Sequence, residues 1–289
     1  MILPNMLKLS TRYFLKHTLV LAGVLIISSP LIDTPRPVQA SPNTSDSIYN
    51  KQAKGRVPGR RRGGARRGDC PATSTQLTAL VPETSVATQS LPQTYVGGST
   101  TAEYPTIWVY VPYSLSADVT AEFILQDDTG QNIYRIASTN FSAAEVSPGI
   151  ISISLPSTIA PLKIGKLYKW YFKLNCDAET PMYVQGGIER IPLNANLANQ
   201  VVRATPQERA NLYVKNNLWY DAVNILAKLY RTNPTDNNTK SAWINLMRSL
   251  GLEDIVVNSG ASLSMDLFVP SSSYSRQRFI QHAADKKFN

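Results

Sequence analysis

Histidine is almost missing from this 289-residue chain: His17 and His282, near opposite ends, are the only two. Its scarcity excludes most catalytic triads and most transition-metal sites, because both lean on imidazole. Cysteine is equally scarce, with Cys70 and Cys176 alone. Two are too few for a disulfide-dense miniprotein or a cysteine-rich zinc module. Charged residues make up only 17% and hydrophobic ones 43%. That balance excludes both a disordered polyelectrolyte and a multi-span membrane protein. The residues therefore offer no catalytic constellation, metal site or cofactor site, and the chain reads as a non-enzyme.

Acidic residues are scarce only at one end. The chain holds 29 Lys and Arg against 20 Asp and Glu, a formal charge of +9. Residues 70–289 carry 17 of each sign, so the excess lies wholly before Cys70. Lys8, Arg12 and Lys16 precede an apolar run from Thr18 to Ile27, shorter than the ~20 residues a membrane span needs. Val38-Gln39-Ala40 then places small residues before Ser41. This order reads as a secretory signal over 1–40, cleaved between Ala40 and Ser41. The expected location is the periplasm or the extracellular space, with no transmembrane span in the mature chain.

Residues 41–69 lack apolar periodicity and read as a flexible basic arm. Arg60, Arg61, Arg62, Arg66 and Arg67 are candidate anion-binding residues, acting through counterion release. No aromatic residue interleaves them, so nucleic acid is not the expected partner. An acidic envelope polymer, an anionic membrane surface or an envelope protein is.

Residues 70–200 read as a β domain. Leu77 to Val81 is a candidate first strand, stopped by Pro82, and Thr106 to Val111 alternates like a half-buried strand. Val119 to Gln126 and Asn132 to Ala137 flank the Asp127-Asp128-Thr129-Gly130 turn. Ile150 to Leu155, Tyr168 to Cys176 and Met182 to Ile191 complete about seven strands, which points to an antiparallel sandwich. Leu162 to Tyr168, followed by Trp170, resembles the tyrosine corner of immunoglobulin-like and fibronectin type III domains. Pairing Cys70 with Cys176 would pin the arm's end to the best strand. Two unpaired buried thiols are the alternative.

The period changes near residue 203. Thr205-Pro206-Gln207-Glu208 is a capping box with proline at the first helical position. It opens a helix to about Asn216. Leu218 to Arg231 and about Thr239 to Leu250 follow, ended by Asn233-Pro234 and Gly251. Ala210, Tyr213, Ala222, Leu226 and Pro234 occupy positions resembling a tetratricopeptide unit. One and a half units do not make a binding solenoid. The aromatic stripe therefore reads as core, and 201–255 as a helical hairpin plus one further helix packed on the sandwich. Residues 256–289 read as a mobile tail.

Several stretches together resemble the cyanobacterial domain-of-unknown-function family 928. They are Arg67-Gly68 with Cys70, Leu77 to Pro82, Pro105 to Tyr113, Pro148-Gly149-Ile150, Gly165 to Phe172, and Glu208-Arg209 through Leu218 to Ala222. The resemblance spans about 67–255. It implies an exported protein of unestablished activity and brings no catalytic residues. The expected fold is thus mainly β with an α appendage, an immunoglobulin-like antiparallel sandwich followed by tetratricopeptide-like helices. The expected role is a non-enzymatic binding or adaptor module. Anionic-polymer or membrane-surface binding through the arm is one alternative. A carboxylate-dependent hydrolase using Asp127-Asp128 or Asp177-Glu179 is the weaker one, since such neighbours are commonly turn formers.

Overall fold

The computed structural model describes residues 54–63, 70–87, 91–137, 147–176, 180–257 and, as backbone, 263–267. The expected signal segment with Ala40 and Ser41, the residues Arg66 and Arg67, and the chain beyond 267 lie outside them.

The strand pattern resolves into two sheets. The larger contains β1 (Arg56–Pro58), β3 (Glu83–Val86), β4 (Gln93–Thr100), β6 (Thr120–Gln126), β7 (Asn132–Ile136), β9 (Leu167–Asn175) and β10 (Met182–Arg190). Its order is β1-β4-β10-β9-β6-β7, with β3 also paired to β4. The smaller runs β11-β8-β5-β2, where β2 is Thr78–Ala79, β5 Thr106–Val111, β8 Gly149–Ser154 and β11 Leu263–Leu267. Both sheets feed one apolar interior: Phe123, Trp170, Phe172 and Val184 from the first meet Ile107, Val109, Ile151 and Ile153 from the second. Strand β9 behaves as its alternation requires, burying Tyr168, Trp170, Phe172 and Leu174 while Lys169 stays outside. The Tyr168 hydroxyl accepts the Lys163 backbone N–H at 3.0 Å, the bond a tyrosine corner makes.

The pairing is not wholly antiparallel, which corrects the expected sandwich. β10 runs parallel to β4, and β11 parallel to β8. Parallel neighbours need long crossovers, and both are available. The chain returns from β4 to β10 through five intervening strands, and from β8 to β11 through the helical region. The parallel seam also needs bare backbone. Gly97 sits at φ +120°, and a Cβ there would lie 2.0 Å from the Gly187 carbonyl oxygen, so no other residue fits.

Among the described residues five helices form a third layer: α1 (Ala195–Arg203), α2 (Pro206–Lys215), α3 (Trp219–Thr232), α4 (Asn237–Ser249) and α5 (Glu253–Val257). The capping box forms as expected, with Glu208 Oε2 accepting the Thr205 N–H at 2.8 Å. Asn194 caps α1, a helix unforeseen in the sequence, so the helical region starts before 201. Leu197, Val201, Ala210, Leu226, Trp243 and Met247 share a second core with Trp108, Tyr110, Leu80 and Ile150 of the smaller sheet. The helices therefore cover that sheet's outer face. Strand β5 is consequently buried on both faces rather than half-buried: its odd positions face the first core, and Trp108 and Tyr110 the second. Burying such side chains contributes about 1.5–3 kcal/mol each.

The largest correction concerns the basic arm. From Arg56 to Pro58 it pairs with β4, Arg60 bridges Gln185, and Arg62 bridges Thr78. Residues 54–63 are thus a strap that crosses from one sheet to the other rather than a flexible segment. Backbone bonds from Gly59 N–H to Thr94 (3.0 Å) and Gly63 N–H to Leu77 (2.7 Å) hold it. Pairing, not hydrophobicity, offsets its ordering entropy. Beyond it, Cys70 and Cys176 form a disulfide with Cα atoms 5.1 Å apart. The tail is likewise not wholly free, because β11 at 263–267 completes the smaller sheet.

Arg62 makes two bonds to the Asp254 carboxylate, at 2.6 and 2.7 Å. The Arg62 guanidinium, through those hydrogen bonds, holds the Asp254 carboxyl below its ordinary value. The pair's contribution is therefore complete above the unfolded carboxylate pKa of about 3.9 and is lost as pH falls through the depressed folded value. Both partners are about one-third exposed, which limits the pair to about 1 kcal/mol. Asp254→Asn should lower thermal stability by that amount at pH 7, and the gap between variant and parent should close below about pH 4. A gap unchanged at pH 2.5 would remove the carboxylate from the account.

Candidate functional site

The helical layer is fixed to the sheets by the first turn of α3. Tyr220 is 3% exposed and enters the sandwich interior. Its hydroxyl accepts the Trp170 indole N–H at 2.8 Å and donates to the Gly187 carbonyl at 2.8 Å. Full burial pushes the phenol well above its ordinary pKa, so it stays a donor. Next to it, the Asp221 carboxyl accepts the Thr101 backbone N–H (3.1 Å) and hydroxyl (2.7 Å). Burial raises this carboxyl's pKa, while the threonine bonds pull it down. One turn of helix thus satisfies both strands of the parallel seam.

With α3 anchored, the apolar stripe expected to be core is core. Ala222, Val223 and Leu226 are buried, Trp219 and Tyr230 half-buried, and Tyr230 stacks on Trp243 with ring centroids 6.2 Å apart. Between α2 and α4 lies a groove of about 530 Å³ at the edge of this core. Its walls present the amides of Gln207, Asn211, Asn238 and Asn245, and its floor Val214 and Leu226. Each primary amide offers one acceptor and two donors. Sequence reasoning did not single these residues out. The available signal was spacing: Gln207 and Asn211 lie at i, i+4, and Asn238 and Asn245 at i, i+7, so each pair shares one face of its helix.

The sequence-predicted site residues scatter. Arg61 is 7% exposed and committed within the fold: it pairs with Glu83 at 2.6 Å and donates to the Leu250 carbonyl. Arg62 is held by Asp254, and Arg60 lies over the Tyr183 ring at 4.9 Å. These three do not form the free anion-binding run expected of a solvated arm, because the strap's pairing buries Arg61, and carboxylates take both Arg61 and Arg62. Asp127 accepts from Thr129 N–H (2.9 Å), its hydroxyl (2.6 Å) and Gln131 N–H (3.0 Å), as a turn former does. The Thr129 hydroxyl, first among these, lowers its pKa. Asp128 pairs with Lys166 at 2.9 Å. Asp177 and Glu179 lie outside the described residues. Among the described residues no cluster of three His, Cys, Asp or Glu is placed to hold a metal ion, and no helix is long and apolar enough to cross a membrane.

The family described as Domain of Unknown Function (DUF928) matches residues 62–259. The chain belongs to this family. The DUF928 match takes in the end of the strap, both cysteines, both sheets' principal strands and all five helices. No curated protein matches the chain.

Tyr220→Phe keeps the ring and removes the bridging hydroxyl. It leaves the Trp170 N–H buried without a partner and takes one bond from the Gly187 carbonyl, which should cost about 1–3 kcal/mol and lower the melting temperature. A melting temperature equal to the parent's would show that the hydroxyl does not anchor the layer.

Proposed function

We propose that this DUF928 protein is an exported, non-enzymatic binding module that holds an extended peptide segment of an envelope partner in the groove between α2 and α4. The observation that carries this reading is the lining. A groove of about 530 Å³ falls within the ~300–1,000 Å³ typical of binding sites. Its walls present amides and hydroxyls and no titratable group. Amides pair with peptide N–H and C=O groups, whereas general acid–base chemistry needs groups that titrate. The lining helices are the first members of successive hairpins. One and a half units form no solenoid surface, but the first helices of neighbouring hairpins flank a shared groove, and the tetratricopeptide-like reading of α2 to α4 supports the proposal to that extent. The Tyr168 bond to Lys163 supports reading the strand region as related to immunoglobulin-like sandwiches, although the two parallel pairs depart from that plan.

Export to the periplasm or beyond rests on the leader, and the Cys70–Cys176 disulfide suits an oxidising compartment. Anionic-polymer binding through the arm is the weaker reading, since Arg61 and Arg62 already have carboxylate partners.

Panning a random-peptide library against the full chain should enrich binders. The double variant Asn211→Ala, Asn245→Ala should weaken them by at least about tenfold, or 1.4 kcal/mol. Both side chains are exposed, so the melting temperature should change by no more than about 2 °C. No enrichment, or equal binding by the variant, would overturn the proposal.

A further inference from the structure

A second, smaller cavity lies on the other side of α2, where the strap meets the α2–α3 turn. It encloses about 100 Å³ and is lined by Lys54, Arg56, Ser99, Asn216, Asn217 and Trp219. Three constraints shape it. Strand pairing sets Arg56 opposite Gly97. Gly98 leaves open the space a side chain would take, and the Trp219 Cδ1 atom stands 3.5 Å from where its Cβ would be. Asn217 turns the chain with φ +58°, a conformation asparagine tolerates better than most residues.

The polar groups around this cavity are unbalanced in one direction. Arg56 is half-buried and has no carboxylate partner among the described residues; its Nη1 donates to the Thr84 hydroxyl, and its Nε is buried with no partner. Burial alone pushes its pKa down. The Trp219 indole N–H is also buried without an acceptor. Cδ1, the atom bonded to that nitrogen, is the one facing Gly98 in the cavity wall. Lys54 adds a second cation, and the Ser99 hydroxyl makes only a 3.5 Å contact to the Lys54 carbonyl. Neither carboxyl on the adjoining segments forms an ion pair with Arg56 or Lys54 among the described residues, although Glu189 lies beside them. Glu189 accepts the Gly55 N–H at 3.1 Å, and Asp221 is taken by Thr101. No side chain caps the N-terminus of α3, which begins at Trp219.

Buried donors in native proteins are nearly all satisfied, and a desolvated guanidinium calls for an anion. We infer that this cavity binds a compact oxyanion, a phosphate, sulfate or carboxylate group, held by Arg56 and Lys54 and oriented by the Trp219 indole N–H. The free Nε edge of Arg56 suits a charge-assisted bond to such a group. The volume admits one oxyanion group and little more, so a larger ligand would present only its charged end. This site is independent of the groove between α2 and α4, and neither proposal requires the other.

The test is a titration of the ¹⁵N-labelled full chain with sodium phosphate, sulfate and acetate at constant ionic strength, following the Trp219 indole N–H resonance. Trp219→Phe assigns that resonance. The expected result is a saturable shift with at least one anion, absent with chloride. Arg56→Gln should weaken it by at least about tenfold. Should Arg56→Gln unfold, Lys54→Gln, on an exposed residue, should weaken it by about threefold. A galacturonate dimer separates two sources of the same chemistry. Tighter saturation than by any free anion assigns a glycan-borne carboxylate, and saturation by the free anion alone assigns a free ion; both uphold the site. No saturable shift with any of these anions, or an identical titration in the charge variants, overturns it.

Discussion

A guanidinium that is 7% exposed must be paired, and the pairing of Arg61 is the constraint on which the remainder of this structure depends. Its partners come from opposite directions in the fold: the Glu83 carboxylate beside the larger sheet, and the Leu250 carbonyl at the end of α4. Arg61 is buried and Glu83 about one-third exposed, so losing the carboxylate is the costlier change: it leaves a desolvated guanidinium without its counter-charge, whereas Glu83 alone would be hydrated. Arg61 can reach both only if its own backbone is fixed, and its carbonyl accepts the Ala79 N–H at 2.8 Å in the smaller sheet. One residue thus ties two sheets and the helical layer together. Arg62 repeats the device one residue on, through Asp254 at the start of α5.

The third layer depends on the same logic of satisfied buried polar groups. Tyr220 and Asp221 enter the seam where β4 and β10 run parallel, and each finds partners there. Because α3 is held at its first turn, the faces of α2 and α4 that would otherwise collapse onto neighbours remain as groove walls. The same anchoring places Trp219 against Gly98 and opens the cavity beside Arg56. Both cavities are therefore consequences of how the helical layer is docked. A loosened α3 would distort the two together.

Much of this was legible in the residues and some was not, for physical reasons. The alternation of β9, the capping box at Thr205 and the Gly251 stop are local signals, and they held: Gly251 takes φ +66°, while Leu252 N–H reaches back to Met247. Strand β4 was missed because its buried run from Val96 continues as Gly97, Gly98, Ser99 and Thr100, residues that read as a turn. Helix α1 buries only Leu197 and Val201, too few for a period. Strand β5 looked half-buried because nothing local announces that helices will cover its second face. The strap was hidden most thoroughly. Arginine, glycine and proline without apolar periodicity read as solvated chain, since buried arginine is rare unless paired, and its partners lie 22 to 192 residues away in sequence.

Amide hydrogen exchange of the full chain tests the strap most directly, because it reports local opening independently of any mutation. The amides of Gly59 and Gly63, bonded to Thr94 and Leu77, should exchange as slowly as those of β9 and β10, opening only with the whole domain. Exchange at the rate of unstructured peptide over 54–63, with the sheets still protected, would return this segment to a free basic arm and contradict the role given to Arg61.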